Sequence, residues 1–164
     1  MKHLILMRHS KTEESSGAKP DFDRKLTNKG LEDAELIGAK LNSLSIPIEK
    51  VIYSSSKRTT MTAKVISNKL KNSNFKIEGD DRIYDASPFF MRNFIESIDN
   101  KISSILIIGH NPTLTFLIEY YSGQRIGSLP TTGFGHLKFE IDSWQETSYN
   151  NANLKEYIYP KALR

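Results

Sequence analysis

The chain has 164 residues, 38 % hydrophobic and 26 % charged, with a net charge of +4. That length suits a single domain over 1–164 with a sizeable core. The absence of cysteine excludes disulfides, thiolate metal sites and cysteine nucleophiles, and it fits a reducing compartment. Basic residues are interspersed with acidic ones, and no finger-like or RNP-like motif accompanies them, so no nucleic-acid partner is expected. No apolar run nears the roughly 20 residues of a membrane span, and the apolar N-terminus is too short for a signal peptide. A cytoplasmic protein without a membrane partner is expected.

Along the chain, short apolar β-rich runs alternate with helical patterns. The runs are HLILM (3–7), KVIYS (50–54), FKIEG (75–79) and SILIIG (104–109), and helices are predicted at 28–44, 57–71, 88–98 and 113–122. Leu31, Ala34, Ile37, Leu41 and Leu44 recur at helical spacing and give the first helix one apolar stripe. Thr27 is its expected N-cap. Ser87-Pro88 and Asn111-Pro112 each read as an N-cap followed by proline at the first helical position. HLKFEI (136–141) alternates like a later antiparallel strand, and KEYIYP (155–160) suits a final edge strand, where Pro160 need not donate. The alternation predicts βαβ units: an α/β fold, a three-layer α/β/α sandwich with a mostly parallel central sheet.

The polar connection 10–26 is long for a compact domain, which marks it as functional or mobile. It follows LILMRHSKT, an apolar run that ends by delivering Arg8 and His9 side by side. In open α/β sheets ligands bind beyond the carboxyl ends of the strands. Arg8, His9 and Ser10 follow the first run, SSSKRTTMTA with Arg58 the second, DDRIYDASP the third, and GHNP with His110 the fourth. Two arginines and two histidines near helix N-termini describe a pocket for a dianionic phosphate. His3 and His136 lack such neighbours in the sequence and read as structural or exposed. Asp23 and Arg24 read as a pair that pins the loop. Asp80 with Asp81 lacks the ligand spacing of a dedicated cation site, so chemistry without a metal is expected.

LMRHSKT, DFDRKLTNKG, SSSKRTTMTA and IIGHNP resemble the histidine phosphatase superfamily, also called phosphoglycerate-mutase-like. RHSKT, FDRKL, YDASP and PTTGFGHLKFE are most similar to its small phosphohistidine-phosphatase branch, the SixA-like proteins. The resemblance covers about residues 3–141. It implies a phosphoglycerate-mutase-like sheet and roles that the chemistry supports. His9 would attack phosphorus and carry a phosphohistidine intermediate, which requires a neutral imidazole whose other nitrogen is held, for example by a backbone carbonyl. Arg8 and Arg58 would fork onto the phosphoryl oxygens. His110 would donate to the same group. Lys11 and Asn111 are outer candidates by adjacency.

Two positions depart from the family pattern. Ser10 stands where the family has glycine, and its hydroxyl is a candidate phosphate contact. Larger members use a glutamate after the third strand as general acid; this chain offers Asp80, Asp81 and Asp85, of which Asp85 is nearest the helix cap. A doubtful acid suits a phosphoramidate, whose leaving nitrogen needs little help. The expected activity is a phosphatase with no cofactor, acting on a phosphorylated protein at phosphohistidine. The alternatives are a small phosphorylated molecule as substrate, or a non-catalytic phosphate-binding adaptor.

Overall fold

A computed structural model describes residues 1–15, 17–71 and 74–164. Ser16, inside the 10–26 connection, and residues 72–73 lie outside the described residues. The elements in chain order are β1 (Lys2–Arg8), α1 (Asn28–Ser43), β2 (Lys50–Ser54), α2 (Lys57–Lys69), β3 (Lys76–Asp80), α3 (Pro88–Glu96), β4 (Ser104–Gly109), α4 (Thr113–Ser122), β5 (Phe134–Phe139) and β6 (Ala152–Ile158). The sheet order is β3-β2-β4-β1-β5-β6. β1 and β2 both pair parallel with β4, and β3 pairs parallel with β2. β5 runs antiparallel to β1 and β6 antiparallel to β5. This is the expected α/β sandwich with a mostly parallel sheet.

The sandwich follows from the period-two alternation of strands buried on both faces. Leu4, Leu6, Ile105 and Ile107 pack into one core with Met91 and Ile95 of α3 and Leu117 and Ile118 of α4. Ile5, Met7, Leu106 and Ile108 face the other way, against Ala34, Ile37 and Leu41 of α1 and Ala63 and Ile66 of α2. The strand residues named here are fully buried, each worth about 1.5–3 kcal/mol on folding. Continuous apolar runs are therefore what the two central strands need.

Thr27 caps α1 by accepting from the Gly30 N–H, and Ser87 caps α3 by accepting from the Phe90 N–H. The Asn111-Pro112 expectation needs correction. α4 begins at Thr113, so Pro112 precedes the helix. Asn111 Oδ1 reaches over it to accept from Thr115 N (3.2 Å) and Thr115 Oγ1 (2.9 Å). The last strands shift as well. β5 begins two residues earlier than HLKFEI because Phe134 and Gly135 already pair with β1. β6 ends at Ile158, and Pro160 starts a 3-10 turn beyond the edge strand. His3 and His136 bond to each other, Nδ1 to Nε2 at 2.8 Å. They are brought together by the antiparallel β1–β5 pairing, in which Ile5 faces His136.

Candidate active site

The site forms where β1, β2 and β4 end at the same edge of the sheet. Arg8 is in register with Gly109, so His9 and His110, each one residue further, become neighbours with ring centroids 5.4 Å apart. Ser54 closes β2, and Arg58 falls in the first turn of α2. Residues predicted from three separate strand ends are thus brought together.

His9 is nearly buried, and its Nδ1 lies 2.7 Å from the Ser10 carbonyl oxygen. A carbonyl only accepts, so Nδ1 carries the proton and Nε2 keeps a lone pair. Burial pushes the pKa of His9 down to about 3; the Ser10 carbonyl opposes this, and His110, Arg58 and Arg8 add to it. Near neutral pH the imidazole is uncharged. His110 is pushed down to about 4, by burial and then by Arg58, with the Asp21 charge opposing. Its Nε2 is 2.8 Å from Ser54 Oγ, and its Nδ1 is 3.4 Å from an Arg58 nitrogen. Arginine only donates, so here the His110 Nδ1 accepts. Donation from that nitrogen to a phosphoryl oxygen requires it to gain a proton, which a nearby dianion favours.

The arginines are held from behind. Arg8 Nη1 donates to the Leu129 carbonyl at 3.1 Å. Arg58 Nη1 donates to the Asp21 carbonyl at 2.8 Å and Nη2 to Asp21 Oδ2 at 3.1 Å. The Nε–H of each arginine is buried without a protein partner. Two unused cationic donors beside a neutral imidazole fit a bound phosphoryl group, since a buried orphan donor is costly.

Other predicted residues are distributed unevenly. Asn111 borders a cleft of about 310 Å³ whose wall includes Asp21, Arg58, Tyr84, Asp85, His110 and, on its apolar side, Met91. Its Nδ2 donates to the Leu129 carbonyl at 2.9 Å. Asp85 is exposed on this wall, with φ 58. Arg8 and His9 are not part of that wall. Ser10 departs from expectation: it is fully buried and its hydroxyl bonds Thr132 Oγ1 at 2.6 Å. The β1 end is threaded beneath Thr132, so the hydroxyl meets protein. Lys11 has an exposed side chain, and its carbonyl accepts from Thr27 N at 3.0 Å. Arg24 pairs with Asp21 at 2.8 Å, in place of Asp23.

Three contributors escaped the sequence reading. Asp21 bridges Arg58, Arg24 and the Tyr84 hydroxyl (2.7 Å). Its carboxyl is pulled down to about 2, first by the Tyr84 bond, then against burial by Arg24 and Arg58. Tyr84 stands edge-on to His110 at 5.6 Å. Thr132 donates its N–H to the carbonyls of Arg8 (3.1 Å) and His9 (3.0 Å). DFDRKL, YDASP and PTTG were visible as motifs, but nothing local told which side chain turns inward. Among the described residues no group of three or more His, Asp or Glu is placed to hold a metal ion. None of their helices is long and apolar enough to cross a membrane.

Comparison with known proteins identifies the family. The model of the histidine phosphatase superfamily (branch 1) matches residues 4–87, just over half of the chain. A Mycobacterium leprae protein, ML1117, is 28 % identical over 94 % of this chain and all of its own length. The mitochondrial serine/threonine-protein phosphatase PGAM5 of Xenopus tropicalis is 34 % identical over 99 % of this chain, which spans 52 % of that protein. The structure of the protein histidine phosphatase SixA complexed with tungstate superposes with a TM-score of 0.82, at 18 % identity, covering 99 % of both chains. The matched segment carries Arg8, His9 and Arg58, and the fold that brings them to His110 is shared along the whole chain: the protein belongs to the histidine phosphatase superfamily.

Proposed function

We propose that the chain is a metal-independent, cytoplasmic, single-domain protein phosphatase that acts on phosphohistidine through a phosphoryl group carried by His9. The observation that carries this reading is His9 itself. Its Nδ1–H is fixed on the Ser10 carbonyl and its charge is suppressed, beside two guanidinium groups with unused Nε–H donors. In the first step the Nε2 lone pair attacks phosphorus, and the bond from phosphorus to the leaving nitrogen breaks. The leaving imidazole keeps that electron pair and takes a proton from solvent, which the attacking water of the second step gives back. In the second step water attacks phospho-His9, restoring the imidazole and releasing phosphate. Arg8 and Arg58 hold the equatorial oxygens throughout, and a protonated His110 offsets their growing charge. These groups supply the positive charge that a metal would otherwise bring.

Two of these similar proteins, a protein histidine phosphatase and a serine/threonine-protein phosphatase, favour a protein substrate. The second also favours a phosphoester as alternative substrate. Asp85 on the cleft wall is then the carboxyl that protonates the leaving oxygen.

Purified protein in chelator should hydrolyse phosphoramidate and a phosphohistidine peptide, and His9→Ala should lose at least about 10³-fold with its fold unchanged. Asp85→Asn should lose about 10²–10⁴-fold on a phosphoserine peptide and far less on phosphoramidate. Near-wild-type turnover by folded His9→Ala ends the nucleophile assignment. Turnover of phosphoserine peptide alone transfers the reading to the ester.

A further inference from the structure

Arg58 is asked to serve two anions. Both terminal nitrogens of its guanidinium already donate to one residue, Nη1 to the Asp21 carbonyl (2.8 Å) and Nη2 to the Asp21 carboxylate (3.1 Å). Arg58 is 6 % exposed, so it has little freedom to turn elsewhere. A phosphoryl group at this site meets the unused Nε–H edge and must either share Nη2 with the carboxylate or displace it. The carboxylate is held independently of Arg58. Tyr84 donates to Oδ2 at 2.7 Å, and Arg24 donates to Oδ1 at 3.0 Å. Arg24 is in turn anchored on Thr12 Oγ1 at 3.0 Å. Asp21 is therefore a fixed negative charge beside the phosphate cradle, partly neutralised by Arg24 from its far side.

We propose that Asp21 and the phosphoryl group compete for the Arg58 guanidinium, so that Asp21 limits how tightly phosphate is held. The inference rests on the phosphate site proposed above. Asp21 acts through Arg58 and is a positioning residue rather than a catalytic one. Its charge loosens substrate and product alike. Arg24 has the opposite sign of effect, because it draws charge away from the contested carboxylate.

The test compares inhibition by inorganic phosphate, and KM against kcat for phosphoramidate, in wild type, Asp21→Asn, Arg24→Ala and the double variant. Removing one partly exposed charge is expected to lower the phosphate inhibition constant about three- to tenfold in Asp21→Asn, a screened surface-scale effect. KM should fall in parallel and kcat should not rise. A variant that had merely lost loop structure would show the reverse, with both constants higher. Arg24→Ala should raise the inhibition constant alone and leave it unchanged in the Asp21→Asn background. An unchanged or higher constant in folded Asp21→Asn overturns the inference. An equal rise from Arg24→Ala in both backgrounds also overturns it, since Arg24 would then act on phosphate directly. Wild-type protein that phosphate does not inhibit would remove the phosphate site itself, and the inference with it.

Discussion

Thr132→Val should destabilise the protein by about 1–3 kcal/mol while leaving phosphate binding close to wild type. Thr132 and Ser10 are both fully buried, and among the described residues their hydroxyls have each other as partner, at 2.6 Å. Valine has the shape of threonine, so no cavity opens. It also keeps the N–H that holds the Arg8 and His9 carbonyls, and as another β-branched residue it bears the same cost at φ 62. What remains is a Ser10 hydroxyl buried without a partner, a penalty of about 1–3 kcal/mol. For a chain of this size that is a fall in melting temperature of roughly 2–4 °C per kcal/mol. Ser10→Ala/Thr132→Val removes both polar groups and should be less destabilised than Thr132→Val alone. The assay is thermal and urea unfolding of wild type, Ser10→Ala, Thr132→Val and the double variant, with phosphate inhibition measured beside it. The reasoning is refuted if Thr132→Val melts with wild type, or if the double variant is worse than either single one. A large loss of phosphate affinity in the double variant would return the Ser10 hydroxyl to the binding site.

Three further outcomes follow from the site and the fold around it. Titration of the histidine ring protons by NMR should show His9 and His110 still neutral at pH 5.5, with midpoints near 3 and 4; a midpoint at the ordinary 6.5 for either would contradict its burial. Because both folded values lie below the unfolded one, the unfolded chain binds protons first as pH falls. Their contribution to stability is therefore complete above about 6.5 and lost toward pH 3–4, at up to about 1.4 kcal/mol per pH unit for each group, which urea midpoints at pH 4.5 and 7 would read. Gly30→Ala should cost about 1–3 kcal/mol by overpacking, because its Cβ would stand 2.2 Å from the Lys11 carbonyl oxygen. The same shift should reduce turnover, since Lys11 is two residues from His9; an alanine variant as stable and active as wild type would show that the 10–26 connection yields freely there.

The sheet was legible because its central strands are buried on both faces, and such strands read as unbroken apolar runs such as SILIIG. The helix over 28–43 was legible because one stripe of it meets the core. Strand boundaries after residue 130 were less so: Phe134 and Gly135 belong to β5 through pairing with β1, and no local signal marks that pairing. For the site, strand-end placement sufficed to group Arg8, His9, Arg58 and His110. It did not give the direction of a side chain. Ser10 sits next to His9 and points to Thr132, 122 residues away, while Asp21 finds its partner in Tyr84, 63 residues on. Contacts of that span are set by topology, and a single sequence does not display them.

The segment after α4 braces the site from behind, although it contributes none of the predicted phosphate ligands. The Leu129 carbonyl accepts from Arg8 Nη1 at the end of β1 and from Asn111 Nδ2 after β4. Thr132 N–H bonds the carbonyls of Arg8 and His9, and the Gly133 carbonyl accepts from Arg8 N. The turn at 129–133 thus ties the two strand ends that carry the histidines, just before β5 enters the sheet beside β1. Residues 4–87, which match the family model, carry His9 and both arginines. His110 and the turn that braces these two strand ends come later in the chain. The parallel register of β1 and β4 makes the imidazoles neighbours, and the turn before β5 braces both strand ends through main-chain groups of residues, leucine and glycine among them, whose side chains could not have announced it.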